Sequence, residues 1–168
     1  MKVETVDIDL VMFDPANVRK HGERNLETIK ASLARFGQQK PVVVGRGNVV
    51  LAGNGTLAAA RALGWDEIKI VRTDLTGTDA TAYAIADNRS AELAEWDDQS
   101  LAETLRALQS EDFDLGAVGY TDAEVDALIS GLADALVPDF QPATIDEQGK
   151  LDEKAPHECP NCGHRFTT

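Results

Sequence analysis

A chain of 168 residues that is 43% hydrophobic and 27% charged has material for one compact domain and an appendage, which excludes two large domains. No run approaches the roughly 20 apolar residues of a bilayer crossing, and Met1–Leu10 lacks the cationic start of a secretory leader, so a cytoplasmic protein without membrane contact is expected. The formal net charge is −13, with 11 Lys and Arg against 8 Asp and Glu in residues 1–72 but 2 against 18 in residues 73–149, which excludes broad electrostatic wrapping of duplex DNA and leaves room for a small-anion site in the first half.

The alternation from Val3 to Leu10 predicts a half-buried strand, broken by Asp14-Pro15. From Asn25 to Phe36, Leu26, Ile29, Leu33 and Phe36 recur at three and four residues, which predicts a helix ended by Gly37. Val42–Val44 and Val49–Leu51, separated by Gly45-Arg-Gly-Asn48, read as a hairpin. Gly53-Asn-Gly-Thr56 follows, then the alanine-rich Leu57–Leu63 closed by Gly64, a strand, glycine loop and helix in succession. Ile68–Val71 is a further strand, and Thr78 to about Leu93 a helix. Asp97-Asp98 opens the next helix, marked by Leu101, Leu105 and Leu108, and Thr121-Asp-Ala-Glu124 has capping-box spacing before a last one, with the core ending near Leu136. Trp65 and Trp96 are expected in core or edge packing. The predicted fold class is α+β, a small mixed sheet with packed helices.

Gly53 and Gly55, between a strand and a helix, permit a sharp turn with exposed amides at the positive end of the helix dipole, a geometry that attracts phosphate but that also occurs as a plain turn. Asp87-Asn88-Arg89 on its own reads as a solvated helix face, and His21, after Arg19-Lys20, as a surface histidine unless its loop folds inward. The order and spacing of Asn17-Val-Arg19-Lys20-His21, Ser32–Gly37, Lys40-Pro41-Val-Val-Val44, Leu51–Ala60, Leu63-Gly64 and Ala84–Arg89 resemble the ParB/sulfiredoxin-like superfamily, in its phage and mobile-element ParB-like nuclease branch. Glu95-Trp96-Asp97 and Phe113–Glu124 resemble the extension found when such a domain sits beside a DNA methyltransferase.

The resemblance implies a nucleoside triphosphate, CTP or ATP, bound with magnesium. Gly53, Asn54, Gly55 and Thr56 would cradle phosphates, Lys40 and Pro41 border them, Arg19 approach from the N-terminal loop, and Asp87 and Asn88 meet the metal, with Arg89 beside them. Two departures bear on turnover. Thr56 stands where relatives commonly carry an arginine, and Asn54 where they carry a histidine or an acid; Arg61, five residues after Thr56, is not positioned by spacing to substitute, whereas the Thr56 hydroxyl can cap the helix. No catalytic residue is assigned, and nucleoside triphosphatase or nuclease activity is left open.

The two cysteines lie in Cys159-Pro-Asn-Cys162, followed by Gly163, a turn that points two thiolates at one tetrahedral ion; His157 and His164 flank it, so a zinc knuckle with these four ligands is expected, by itself or by sharing ligands with another copy. The expected organisation is a ParB/sulfiredoxin-like nucleotide-binding domain over 1–95, a helical extension over 96–136, a flexible linker over 137–155 and the zinc-knuckle tail over 156–168. The expected role is DNA metabolism: modification, partitioning or processing. Alternatives are a non-catalytic adaptor whose acidic helices bind a basic protein partner, or a ParB-like nuclease. DNA and a second copy of the chain remain expected partners beside the nucleotide.

Overall fold

A computed structural model describes residues 1–136 and 157–166, which belong to two compact units, Met1–Leu132 and Ala133–Thr168. The expected linker, 137–155, lies outside the described residues, as do the side chains of His157 and Leu136.

In the first unit, β1 (Val3–Asp7) is shorter than its alternation predicts. The Asp7 carboxylate accepts the Asp9 amide at 2.8 Å and winds Ile8–Leu10 into a 3-10 turn, which ends the strand early. Helix α1 (Glu23–Phe36) is closed by Gly37 at φ +68°. Then come β2 (Val42–Val44), β3 (Val50–Ala52), α2 (Asn54–Ala62) and β4 (Glu67–Arg72). The sheet order is β1-β4-β2-β3, with β1–β4 and β2–β3 antiparallel and β2–β4 parallel. The parallel pair requires a crossover, which β3 and α2 supply, and this brings the start of α2 to the end of β3.

Val42, Val44, Val50, Ile68 and Ile70 of the sheet are fully buried with Val11 and with Leu57 of α2, and Leu26, Ile29 and Leu33 of α1 pack on the same cluster. Each such side chain contributes about 1.5–3 kcal/mol through burial, so the layer of α1 and α2 on the sheet is a rigid support.

Three helices follow: α3 (Gly77–Glu92), α4 (Asp98–Ser110) and α5 (Asp122–Leu136). Leu105, Leu115 and Val125 form a second, smaller core. It docks on α1: the Phe36 and Phe113 rings stack with centroids 6.2 Å apart, Arg35 lies over Phe113, and Arg24 pairs with Glu124. The capping box expected at α5 holds, because Thr121 and Glu124 bond reciprocally, and α4 starts at the expected acidic pair, where the Asp97 carboxylate also accepts the Ser100 amide. Trp65 packs against the main core, whereas Trp96 is 72% exposed, contrary to expectation. It follows α3, which covers one edge of the sheet without burying any residue of its own, so no core reaches that far. The described residues thus form a mixed α+β fold of five α-helices and a four-stranded sheet, with no helix long and apolar enough to cross a membrane.

In the second unit, β5 (His157–Glu158) and β6 (Arg165–Phe166) form a small antiparallel hairpin around the two cysteines.

Candidate functional site

The chain enters α2 straight from β3 because Gly53 adopts a left-handed conformation (φ +101°, ψ 24°). As a result the first turn of α2 faces outward with no side-chain cap: Leu57 is the first residue to bond back, to the Gly53 carbonyl at 3.0 Å. The amides of Asn54, Gly55 and Thr56 have no hydrogen-bond partner among the described residues. Thr56 therefore does not cap the helix as expected; it occupies the third helical position, after the turn that a capping residue would need.

These amides open into a cleft of about 260 Å³. Nine of the ten residues picked out from the sequence line it: Arg19, Lys40, Pro41, Gly53, Asn54, Gly55, Thr56, Asp87 and Asn88. Arg89 stands outside, 62% exposed and paired with Glu92 three residues on.

Each wall is set by a local cause. Gln38, which the sequence reading passed over, is buried; its side-chain amide accepts from the Lys69 amide at 2.7 Å and donates to the Lys69 and Lys40 carbonyls, extending the β2–β4 ladder by one rung and fixing Lys40 and Pro41 at the rim. The N-terminal loop folds inward. Asn54 Oδ1 accepts from the Asp14 amide at 3.3 Å, and the His21 imidazole packs so closely on Gly55 that a Cβ there would lie 2.7 Å from its Cε1. His21, read as a surface residue by default, is thus part of the cleft lining. Its Nδ1 lies 2.7 Å from Asn25 Oδ1, within hydrogen-bond distance, which holds the ring in place. The bare glycine at position 55 was the one sequence signal for this approach.

Asp87 and Asn88 reach the cleft from α3, which lies against β3. Asn88 Nδ2 donates to the Ala84 carbonyl at 2.8 Å, which leaves its oxygen available; with the Asp87 carboxylate this is a donor pair that suits a hard cation such as magnesium. Arg61 turns away from the cleft. It donates to the Ile8 and Val11 carbonyls and lies over the Phe13 ring, so it does not replace the arginine that Thr56 displaces.

In the tail hairpin, the Asn161 amide, then the Cys162 amide and thiol, hold the Cys159 thiol below its ordinary pKa, the preference a metal-binding thiolate needs. Cys159 and Cys162 fit as half of a tetrahedral zinc site. Among the described residues no three His, Cys, Asp or Glu side chains are gathered into a metal-binding group, and the His157 side chain lies outside them.

Comparison with known proteins bears on the fold. Residues 99–162 match the family model described as the ParB-methyltransferase HTH domain. Among solved structures, the C-terminally truncated chromosome-partitioning protein ParB from Caulobacter crescentus complexed with CTP-gamma-S superposes with a TM-score of 0.69 over 83% of this chain and 81% of that one, at 19% identity. The fold of this chain is similar to that of ParB. Similarity extends at lower TM-score to the same Caulobacter crescentus protein complexed to the centromeric parS site (0.44; 19% identity; 81% of this chain and 73% of that one). It also extends to a Pnob8-like ParB N-domain (0.45; 21% identity; 66% and 48%). No curated protein matches. That likeness is one of fold, a mixed α+β arrangement shared over most of this chain.

Proposed function

We propose that this ParB-like chain binds a nucleoside triphosphate, CTP in the first instance, together with magnesium, in the cleft at the start of α2, and that it serves DNA metabolism. The carrying observation is the set of amides at Asn54, Gly55 and Thr56 that have no partner among the described residues, open to a cleft that also collects Lys40 and Arg19. Backbone donors at a helix N-terminus and flanking cations match phosphate oxygens. Asp87 and Asn88 would hold the magnesium ion, which would neutralise phosphate charge there. The structure with CTP-gamma-S belongs to a protein of the same fold, which is why CTP leads ATP.

Without a side-chain clamp at Thr56, the reading is of binding with slow turnover or none. In the tail, Cys159 and Cys162 would hold zinc with His157 and His164 or with a second copy.

Thermal-shift measurement with magnesium and each of CTP, ATP, GTP and UTP tests the cleft. At 100 times its dissociation constant a ligand stabilises the folded chain by about 2.7 kcal/mol, a clear rise in melting temperature. Should none of the four raise it, the nucleotide reading falls and the adaptor reading gains, favoured by the acidic residues 73–149. Nuclease action rests on resemblance alone, and plasmid left intact by the protein with divalent metal across pH removes it.

A further inference from the structure

Arg89 and Glu92 are three residues apart on α3, a spacing at which side chains meet on the helix surface. What the spacing does not announce is a third member. Glu92 Oε1 lies 3.0 Å from Nη1 of Arg19, which comes from the N-terminal loop, while Oε2 lies 3.2 Å from Nη1 of Arg89. One carboxylate is therefore held by two guanidiniums, each taking one oxygen. This is the arrangement in which arginines hold a phosphate. Arg19 lines the cleft; Glu92 is on the same helix as Asp87 and Asn88, one turn beyond Asn88.

We propose that Glu92 is a built-in competitor for the anion site: it occupies Arg19, and a polyphosphate must displace it before Arg19 can join the open amides of α2. The proposal rests on the nucleotide reading above and specifies how that site is regulated. The side chains of Arg19 and Glu92 are 38% and 49% exposed, so their attraction is screened by solvent and is of the small size measured for surface pairs. A triphosphate with several charges wins such a contest. Glu92 then sets a threshold on affinity and does not block the site. Every ligand that engages Arg19 loses the same modest factor to it, and ligands held by the amides alone lose nothing.

The test uses the full chain with Glu92→Gln, Arg19→Gln and the double variant, titrated calorimetrically with magnesium tripolyphosphate and with magnesium CTP at low salt. Glu95→Gln serves as control, because it removes the same charge from a nearby position that forms no ion pair among the described residues. Glu92→Gln is expected to bind about two- to fivefold tighter than the natural chain, the range set by losing an exposed ion pair. Glu95→Gln is expected to bind as the natural chain does. Arg19→Gln should bind more weakly, and adding Glu92→Gln to it should change nothing further, since the competitor then has nothing to compete for. Equal affinity in Glu92→Gln and the natural chain overturns the proposal and leaves the nucleotide reading standing. So does a gain that persists undiminished in the Arg19→Gln background, which would mean a general field effect. Absence of binding by the natural chain and all variants overturns the nucleotide reading, and the competitor role with it.

Discussion

Gly53 carries a large share of the site in one torsion angle. At φ +101° any other residue is strained, and a Cβ would also lie 3.2 Å from Val42 Cγ2, a fully buried side chain with little room to move. Gly53→Ala is expected to lower stability by about 1–2 kcal/mol, the cost of a left-handed conformation for an L residue, and to misalign the amides behind it. Urea denaturation measures the first effect; an unchanged midpoint would mean that β3 can enter α2 by another route. Gly55 differs. Its neighbours are the ends of side chains, His21 Cε1 and Ile29 Cδ1, so a methyl group there acts mainly by pushing the imidazole aside. At this scale the sequence displayed both glycines but not their separate purposes. The contact with His21 and the turning of Arg61 toward the Ile8 and Val11 carbonyls depend on where the N-terminal loop lies, which local spacing does not encode.

Among the elements, the junction between α1 and α5 is one that pH should reach. Glu124 is lowered from 4.5 to about 2, first by its hydrogen bond from Arg24 and then by the Thr121 amide and hydroxyl. A carboxylate with a depressed folded-state pKa contributes stability that is fully present above its unfolded value and is lost as pH falls toward the folded one. The stability difference between the natural chain and Glu124→Gln should therefore be constant above about pH 5 and shrink between 4.5 and about 2. Urea midpoints across that range measure it, and parallel curves would deny the ion pair any role. Element types were legible because each carried its own signal: the alternation of β1, the three-and-four spacing of α1, the capping box of α5. The early end of β1 and the exposure of Trp96 were not, because one follows from a side chain bonding its own backbone and the other from what lies, or does not lie, against α3.

For the molecule as a whole, both apolar clusters lie within the first unit, in residues up to Ile129. A chain ending at Leu136 is accordingly expected to melt within about 2 °C of the full-length protein, since it loses no buried side chain of either cluster. Metal analysis of the same pair tests the tail: zinc in the full-length chain and none in the shortened one is expected, and no zinc in either removes the knuckle. The charge division along the chain was plain from composition, and it bears on DNA. Within residues 99–162, which match the helix-turn-helix model, Arg106, Lys150 and Lys154 are the sole Lys or Arg side chains, so that segment offers few cations to a phosphate backbone. The gathering of Arg19, Lys40, Gly53 and Asp87 into one cleft is a long-range property of the sheet crossover and became visible through the family pattern, not through spacing.

Helix α2 is only nine residues long, and its two ends perform different tasks. One end leaves donors open; the other, through Arg61, clasps the backbone that leads from β1 to Phe13. A short helix gripped in this way is bound to one continuous stretch of the N-terminal segment. The Asp14 amide bonds Asn54 at the open end while Arg61 holds the Ile8 and Val11 carbonyls, so the stretch from Ile8 to Asp14 is fastened to both ends of α2, and a label near Phe13 sits close enough to report occupancy directly.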